Sequence, residues 1–305
     1  MSIFRPLLSC LTLAAAALLL CADVNAKRIY QYRDKDGVLH FTDRAPNSEV
    51  EASEVKQTLI RAEEQDIVQM FTNRSGNEHT MTFVNKIAGP VAVQLEFVDA
   101  DNVAAEPPLP LQTVLGAFEQ RQVAKAFPAD RYRNSRFSVR YFAAPGDPSA
   151  HHDDSVRYSA PFAMGTTFVL AQGFNGQYTH SGVQSRYAVD LGVDEGTPVL
   201  CAREGSVMLV EEDFFGAGMD KERFGNRANH VRVLHADGSM GVYAHLQLES
   251  ARVQPGQPVR RGQVLGLSGN TGFSTGPHLH FAVQVNHDME LTAVPFQFED
   301  DRIVP

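Results

Sequence analysis

Cysteine is nearly absent from this chain. Its 305 residues include three cysteines, and two of them, Cys10 and Cys21, fall in an N-terminal segment with the features of a removable leader. Only Cys201 then remains, which excludes an intramolecular disulfide. Cys201 follows apolar residues in a strand-like run and is interpreted as a small buried hydrophobic residue. Packed cores must therefore stabilise the protein, and the remaining length suffices for two cores of ordinary size.

Long hydrophobic runs are also missing. The apolar run over residues 7–20 is interrupted by polar residues and is too short to span a bilayer comfortably. Val24-Asn25-Ala26 then supplies small residues for signal-peptidase cleavage. We therefore interpret residues 1–26 as a secretory signal peptide and expect an exported protein without a transmembrane span in its mature chain. A retained anchor is the alternative, and lipidation at Cys21 is disfavoured because Leu20 stands where such motifs need a small residue.

Positive charge is in deficit. The sequence has 27 Lys and Arg against 36 Asp and Glu, a formal net charge of -9. This balance argues against nucleic acid as a partner, because a binder of phosphate backbones needs a basic surface. It also argues against simple electrostatic attraction to anionic cell-wall polymers.

The chain lacks long stretches with the 3.6-residue period of a helix in its C-terminal part, residues 166–305. Short apolar runs there are cut by glycines that allow tight turns between strands. These glycines are Gly256, Gly262, Gly266, Gly269 and Gly272. The pattern predicts a mainly antiparallel β domain.

The N-terminal region predicts a small hairpin. Alternating aromatic and polar residues flank Asp34-Lys35-Asp36-Gly37, which is the pattern of two strands joined by a turn. Residues 27–46 are similar in sequence to a small bacterial envelope module of unknown function (DUF4124-like). An isolated hairpin is marginal in water, so we expect it to dock on something, with an envelope protein as a candidate partner. Residues 47–66 are acidic and polar and are interpreted as a linker.

The middle of the chain, residues 67–165, predicts an all-β sandwich of the immunoglobulin-like kind. Three apolar segments, 80–84, 91–97 and 137–142, have the length of strands. Proline and glycine turns separate them, as at Pro145-Gly146-Asp147.

The most informative motif is His278-Leu279-His280. In a strand, residues i and i+2 point to the same face, so these two imidazoles converge while Leu279 faces a core. Two further motifs precede it, Tyr243-Ala244-His245-Leu246 and Tyr187-Ala188-Val189-Asp190. Two or three histidines, one carboxylate and a further histidine make up a catalytic zinc site with three ligands, an open position and a base.

The order His180, Asp190, His245, His278 and His280 resembles the lysostaphin-type zinc metallopeptidases (LytM-like, family M23). The similarity covers roughly residues 172–286 and includes glycine-containing motifs in the family's order. These motifs are Gly196-Thr197-Pro198-Val199, Gly205-Ser206-Val207, Asn229-His230-Val231, Pro255-Gly256-Gln257-Pro258-Val259, Gly262-Gln263 and Gly269-Asn270-Thr271-Gly272. The resemblance implies one zinc ion per chain and endopeptidase activity on peptidoglycan peptides.

The resemblance implies that His180, Asp190 and His280 hold the metal. Asp190 lies in an apolar run, where a carboxylate is costly unless it is paired or binds a metal. A strand-end Asp bonded to backbone amides is the alternative. Well-known family members place the first histidine four residues before the aspartate, where this chain has Arg186. His180 stands ten residues before Asp190, and a looped-out stretch from Ser181 to Arg186 would bring it in.

His245 and His278 are implied to be catalytic. They would orient the water, accept its proton or stabilise the oxyanion, and the sequence leaves open which does which. A core histidine is the alternative for His245. The remaining histidines are interpreted as structural or exposed, including the pair His151-His152 in a polar loop.

The function predicted from these residues is that of an exported zinc endopeptidase in the periplasm or envelope of a bacterium, cutting cross-links or stem peptides of peptidoglycan. Two alternatives stay open at this point. One is a catalytically inactive relative that binds the wall or activates another hydrolase. The other is a structural envelope protein whose N-terminal modules carry the function.

Overall fold

The computed structural model of the protein describes residues 28–34, 38–42, 53–59, 65–303 and 305. Strands dominate these residues, and the one helix among them, α1 (Lys221–Phe224), is a single turn. The prediction of a mainly β protein is thereby confirmed. In the described ranges, no helix has the length and apolar character needed to cross a bilayer. The predicted signal peptide, residues 1–26, lies outside these ranges.

The N-terminal sheet has the order β2-β1-β3, with β1 (Arg28–Arg33), β2 (Leu39–Thr42) and β3 (Ser53–Leu59). The predicted hairpin is confirmed, because β1 and β2 pair antiparallel. The backbone N–H of Val38 donates to Asp34 Oδ1 at 2.9 Å beside the turn. The interpretation of residues 47–66 as a linker stays a prediction, and within it β3 pairs with the other edge of β1. That edge offers unpaired backbone groups, so a segment of the linker can join the sheet through its backbone.

Two antiparallel sheets form the middle of the chain, with the orders β4-β5-β9-β7 and β10-β6-β8. Their strands are β4 (Val68–Ser75), β5 (Glu78–Asn85), β6 (Val91–Asp101), β7 (Val103–Glu106), β8 (Leu111–Leu115), β9 (Gln120–Pro128) and β10 (Arg136–Pro145). Buried side chains of both sheets share one core. Phe83 of β5 meets Tyr141 of β10 edge to face, with ring centroids 5.1 Å apart. The arrangement is a sandwich, and its immunoglobulin-like character stays a prediction.

The C-terminal part is built on an eight-stranded sheet with the order β12-β13-β22-β18-β17-β15-β19, and with β23 paired to β22. Its strands are β12 (Val169–Gln172), β13 (Ala188–Gly192), β15 (Gly205–Glu211), β17 (His230–Leu234), β18 (Met240–Ala244), β19 (Pro258–Val259), β22 (His278–His287) and β23 (Glu290–Ala293). Three two-stranded ladders flank it: β11 (Arg157–Tyr158) with β24 (Gln297–Phe298), β14 (Pro198–Leu200) with β20 (Val264–Leu267), and β16 (Ala217–Gly218) with β21 (Gly272–Phe273).

One face of this sheet carries the C-terminal core. Leu279, Phe281 and Val283 of β22 are fully buried in it. Because side chains alternate along a strand, the histidines at positions 278 and 280 lie on the opposite face. The same alternation puts Leu191 of β13 into the core and Asp190 opposite.

The boundary between the sandwich and the C-terminal domain, at 165/166, stays a prediction, and residues before it contact the C-terminal part. Strand β11 pairs with β24 at the far C-terminal end. Tyr158 is fully buried, and its ring packs edge to face on Phe281 and Phe296. Phe162 belongs to the same core. Tyr158 and Phe162 therefore belong to the C-terminal core.

The sandwich packs against the end of the large sheet that lies away from His278. The backbone N–H of Ala88 donates to Met208 O at 3.0 Å, and Met208 and Met240 belong to the core of the sandwich. At the end of β22, the Asn286 amide donates to the Ala144 and Gly146 carbonyls. Along β22, Asn286 is about 26 Å from His278 at a rise of about 3.3 Å per residue. The sandwich therefore supports the sheet and leaves its histidine end uncovered.

Candidate metal centre

Strand register sets two of the three predicted ligands face to face. In the antiparallel pair β13 and β22, Asp190 lies directly opposite His280. Directly opposite residues of an antiparallel pair are close neighbours on one face of the sheet. The His280 Nδ1 atom is accordingly 2.9 Å from Asp190 Oδ1. His278 lies two residues earlier on the same face, and its Nε2 is 3.7 Å from the same oxygen.

The third predicted ligand, His180, comes from the loop before β13. Its side chain is fully buried, and its Nε2 lies 3.1 Å from Asp190 Oδ1. Its Nδ1 lies 3.0 Å from the Gly173 carbonyl oxygen. A carbonyl only accepts, so Nδ1 carries a proton and Nε2, which faces Asp190, is the nitrogen that would bind a metal. Arg186 stays outside, with its guanidinium carbon 5.6 Å from the centroid of the Tyr187 ring.

These three residues fit a metal ion. Their candidate ligand atoms all lie within 4.8 Å of one another. A tetrahedral ion with bonds of about 2.0–2.2 Å holds its ligand atoms about 3.4 Å apart, close to the spacing seen at Asp190. Two imidazole nitrogens converging on one carboxylate oxygen, with a fourth direction free, have the composition of a catalytic rather than a structural zinc site. Among the described residues, no other group has three such side chains.

Burial and hydrogen bonding shift the pKa values of Asp190 and His180 in opposite directions. Burial favours the neutral form of Asp190, but hydrogen bonds from His180 and His280 outweigh it and hold the carboxyl pKa far below its usual value. For His180, burial opposes protonation, whereas the hydrogen bond and charge of Asp190 outweigh it and raise the imidazole pKa. The carboxylate thus stays ionised, and a metal must displace a proton that this carboxylate stabilises on His180.

The two predicted catalytic histidines lie beside the three ligands. The ring centroids of His245 and His278 are 4.5 Å apart, and those of His245 and His280 are 5.9 Å apart. The Nδ1 atom of His245 lies 2.6 Å from Thr271 O, and that of His278 lies 2.8 Å from Gly276 O. A carbonyl only accepts, so each Nδ1 donates to it and each Nε2 is left for other partners.

The backbone and pKa of His245 are both unusual. Its φ of 64° is left-handed, a conformation that costs energy for a residue with a side chain and that clusters at functional sites. Burial lowers its pKa to about 3, and the charges of His278 and His280 act in the same direction. The imidazole is therefore neutral at neutral pH, as a proton acceptor must be.

Asn229 connects the segments that hold His245, and its residue type and spacing gave no signal of this role. Its side-chain oxygen accepts the Phe214 N–H at 2.9 Å, and its amide donates to the Phe214 and Leu246 carbonyls. Its backbone N–H donates to Thr271 Oγ1, and its carbonyl accepts the Leu246 N–H. Leu246 follows His245, and Thr271 accepts the His245 proton, so Asn229 fixes both sides of this imidazole.

We expect Asn229→Ala to lower the free energy of unfolding by about 2–4 kcal/mol, because it leaves several buried backbone groups without partners. Urea denaturation of the metal-free protein measures this loss. Asn226→Ala, at an exposed position in the same segment, is the control and should stay within about 0.5 kcal/mol of the unchanged protein. Equal stability of the Asn229 and Asn226 variants would contradict the bridging role.

Gln172 is a second residue that the sequence analysis did not single out. It lies opposite Asp190 in the β12–β13 pair, and its amide nitrogen donates to Asp190 Oδ2 at 3.0 Å. The sequence does not predict this role for Gln172, because its contact with Asp190 depends on how the two strands pair.

The remaining histidines lie away from this centre. His230 and His235 follow the structural interpretation, and burial lowers the pKa of each to about 4. His151 is exposed, whereas His152 approaches Asp237, with His152 Nδ1 3.7 Å from Asp237 Oδ2. That carboxylate is already bonded to the Arg203 guanidinium, which argues against a metal there.

Comparisons with known proteins identify two segments. Residues 184–290 match the model of Peptidase family M23, and residues 16–63 match that of a domain of unknown function, DUF4124. The matched peptidase segment contains Asp190, His245, His278 and His280, and begins four residues after His180.

Individual relatives match about a third of the chain. An "Uncharacterized metalloprotease" of Haemophilus influenzae is 36% identical over 104 residues, 34% of this chain and 19% of that protein. "DD-carboxypeptidase/endopeptidase Mpg" of Neisseria meningitidis serogroup B is 38% identical over 98 residues, 32% of this chain and 20% of that protein. A solved structure of the antimicrobial peptidase lysostaphin from Staphylococcus simulans is 32% identical, with a TM-score of 0.30, and covers 39% of this chain and 43% of that chain. This chain therefore spans about a fifth of the length of the two curated relatives.

Proposed function

We propose that the protein is an exported zinc metalloendopeptidase that hydrolyses peptide cross-links or stem peptides of bacterial peptidoglycan, and the match of residues 184–290 to the model of Peptidase family M23 supports this. One observation carries the proposal: His180, Asp190 and His280 converge beside the imidazole rings of His245 and His278. A relative named "Peptidoglycan DD-endopeptidase ShyA", from Vibrio cholerae and 36% identical over 96 residues, supports the substrate class. The substrate lies outside the cytoplasm, which fits the predicted signal peptide and a place in the periplasm or envelope.

His180, Asp190 and His280 would hold the zinc ion. When bound, zinc supplies a Lewis acid that polarises the scissile carbonyl and brings the pKa of a bound water toward about 7. The carboxylate of Asp190 contributes one negative charge, and the two imidazoles bind as neutral ligands. The hydrogen bond from His180 to the Gly173 carbonyl fixes the tautomer that this role requires.

His245 and His278 would move the proton. A neutral imidazole accepts the proton of the attacking water at Nε2 and returns it to the amine nitrogen as the C–N bond of the peptide breaks. Hydrogen bonds to the Thr271 and Gly276 carbonyls keep the opposite nitrogens protonated and the rings oriented. The pKa of about 3 at His245 ensures that this acceptor is unprotonated before the reaction starts.

The position of the sandwich favours substrate access. Its contacts with the large sheet, at Met208 and Asn286, lie away from the histidine end of β22. A peptidoglycan strand is a polymer, and contacts of the sandwich at the far end of the sheet suit its approach to the histidine end.

We expect the purified protein to carry about one zinc ion per chain, because one complete ligand set is present among the described residues. The protein should also release muropeptides from purified sacculi, which mass spectrometry identifies together with the bond that is cut. Asp190→Ala and His280→Ala should each lose the metal and the activity while the chain stays folded. His151→Ala, at an exposed histidine outside the centre, is the matched control and should keep both.

Two results would overturn the proposal in different ways. Stoichiometric zinc in both ligand variants would disprove the ligand assignment. Zinc in the unchanged protein without any muropeptide release would favour an inactive relative that binds the wall or activates another hydrolase.

A further inference from the structure

We infer that Gln172 is a positioning residue of the metal centre, whose side-chain amide holds the loop of His180 against the second oxygen of Asp190. The inference rests on the proposed function, because it concerns the ligands named there. Gln172 ends strand β12 at the edge of the large sheet, in register with Asp190. It does not itself bind the metal or touch substrate.

The Gln172 side chain uses its whole hydrogen-bonding capacity at this position. Its Oε1 accepts the backbone N–H groups of Tyr178 and Thr179, at 3.1 Å and 3.4 Å. Its Nε2 donates to Thr179 Oγ1 at 2.7 Å and to Asp190 Oδ2 at 3.0 Å. A primary amide has two acceptor sites and two donors, and here all four are engaged. The amide therefore joins the residues just before His180 to the carboxylate that His180 must meet.

The need for such a connection follows from where His180 lies. Asp190 and His280 are fixed by paired strands, whereas His180 lies in a loop and has no strand ladder of its own. Ordering a loop costs conformational entropy, which local hydrogen bonds must offset. Gly173, the neighbour of Gln172, accepts the Nδ1 proton of His180. Gln172 thus orients Asp190, and the next residue, Gly173, orients His180.

The bond to Asp190 Oδ2 also selects which carboxylate oxygen meets the histidines. With Oδ2 engaged by the Gln172 amide, Oδ1 is the oxygen that lies 3.1 Å from His180 Nε2 and 2.9 Å from His280 Nδ1. Hydrogen bonds to ligating carboxylates orient them, and the loss of such a partner weakens metal affinity by about 10–100-fold.

Gly176 leaves the space that the Gln172 side chain occupies. A Cβ atom placed on Gly176 would lie 2.2 Å from Gln172 Cγ and 2.6 Å from Gln172 Cδ. An alanine there must push the glutamine aside, because these distances are far below van der Waals contact. Gly182, in the same loop, has room, because a Cβ added to it would lie 3.6 Å from Ser185 Oγ. Gly176→Ala should therefore displace the Gln172 side chain, whereas Gly182→Ala adds the same methyl group to the loop without a clash.

The test measures zinc affinity by chelator competition, on the full chain, for Gln172→Met, Gly176→Ala and Gly182→Ala. Methionine keeps the unbranched shape of glutamine but has no donor and only a weak acceptor. We expect Gln172→Met and Gly176→Ala to bind zinc about 10–100-fold more weakly than the unchanged protein, and Gly182→Ala to bind it equally well. Thermal denaturation of the metal-free forms shows whether each variant is folded.

Cobalt substitution adds a readout that a purely structural role would not move. The visible absorption of Co²⁺ reports the geometry of its ligands, so a reoriented Asp190 should change the spectrum of Gln172→Met and of Gly176→Ala in the same way. The spectrum of Gly182→Ala should match that of the unchanged protein.

The outcomes separate this inference from the proposed function. Tight zinc binding and an unchanged cobalt spectrum in Gln172→Met would overturn the positioning role and leave the proposed function standing. Absence of zinc binding in the unchanged protein would overturn the proposed function itself. If Gln172→Met does not fold, Gly176→Ala decides the question. If neither metal-free variant folds, Gln172 is a structural residue of the domain and the inference is wrong.

Discussion

His180→Ala is expected to lose bound zinc and sacculus digestion together. The substitution leaves Asp190 and His280, which is one ligand too few for a catalytic zinc site. The cost should exceed the roughly 100-fold that loss of an outer-shell partner causes, because a direct ligand is removed. The lost imidazole also leaves Asp190 without one of the two hydrogen bonds that keep its pKa low, so the buried carboxylate becomes harder to ionise.

Arg186→Ala is the matched comparison, since it changes the position where the commonest family spacing would place the first ligand. Its guanidinium has only hydrogen-bond donors and no acceptor atom for a metal, and it lies over Tyr187, so the metal should remain in place after the substitution. Metal analysis and muropeptide release measure both variants. A His180→Ala protein that is still zinc-loaded and active would show that another residue is the third ligand.

His245→Ala and His278→Ala should keep zinc and lose about 10²–10⁴-fold in turnover, which is the usual contribution of one general base or oxyanion partner. Both rings lie beside the ligands without belonging to the ligand set, and His278 Nε2 is 3.7 Å from Asp190 Oδ1. His245→Asn should be made as well, because asparagine tolerates the left-handed backbone at this position better than alanine does. A loss of turnover in both His245 variants then reports the missing imidazole rather than backbone strain.

His287→Ala is a matched control for His278→Ala, because His287 is an exposed histidine at the other end of the same strand. It should retain both metal and turnover. Muropeptide release close to that of the unchanged protein from His245→Ala or His278→Ala would show that the substituted histidine is structural.

Local patterns in the sequence were sufficient for the strands and for the histidine pair. Alternation in His278-Leu279-His280 and in the run before Asp190 predicts which side chains face the core, and the structure has them so. The hairpin was predictable for the same reason, since its signal lies within a few consecutive residues. Strand β3 was not, because residues 53–59 join the sheet through backbone pairing, which leaves no hydrophobic signature.

Contacts between distant parts of the chain could not be predicted from the sequence. The pairing of Asp190 with His280 depends on strand register, and the arrival of His180 depends on the path of a loop. Tyr158 appears in the sequence among residues of the sandwich, but its ring packs on Phe281 and Phe296 more than 100 positions away. Asn229 stands in one of the motifs that carry the resemblance, but its role depends on the backbone groups that the fold brings to its amide, and no pattern in the sequence marks Gln172.

The interface between the sandwich and the large sheet limits how far the chain can be shortened to obtain the C-terminal part alone. A Cβ on Gly89 would lie 2.6 Å from Met208 Cγ, so the two parts touch at backbone distance. Cutting the chain between them would expose Met208 and Met240, both now fully buried, and would remove the carbonyls that the Asn286 amide meets. The isolated C-terminal fragment would expose an apolar patch at Met208 and Met240, which favours aggregation, and the Asn286 amide would lose its two acceptors. A shortened form of the protein should therefore begin before β4, so that it retains the sandwich together with the large sheet.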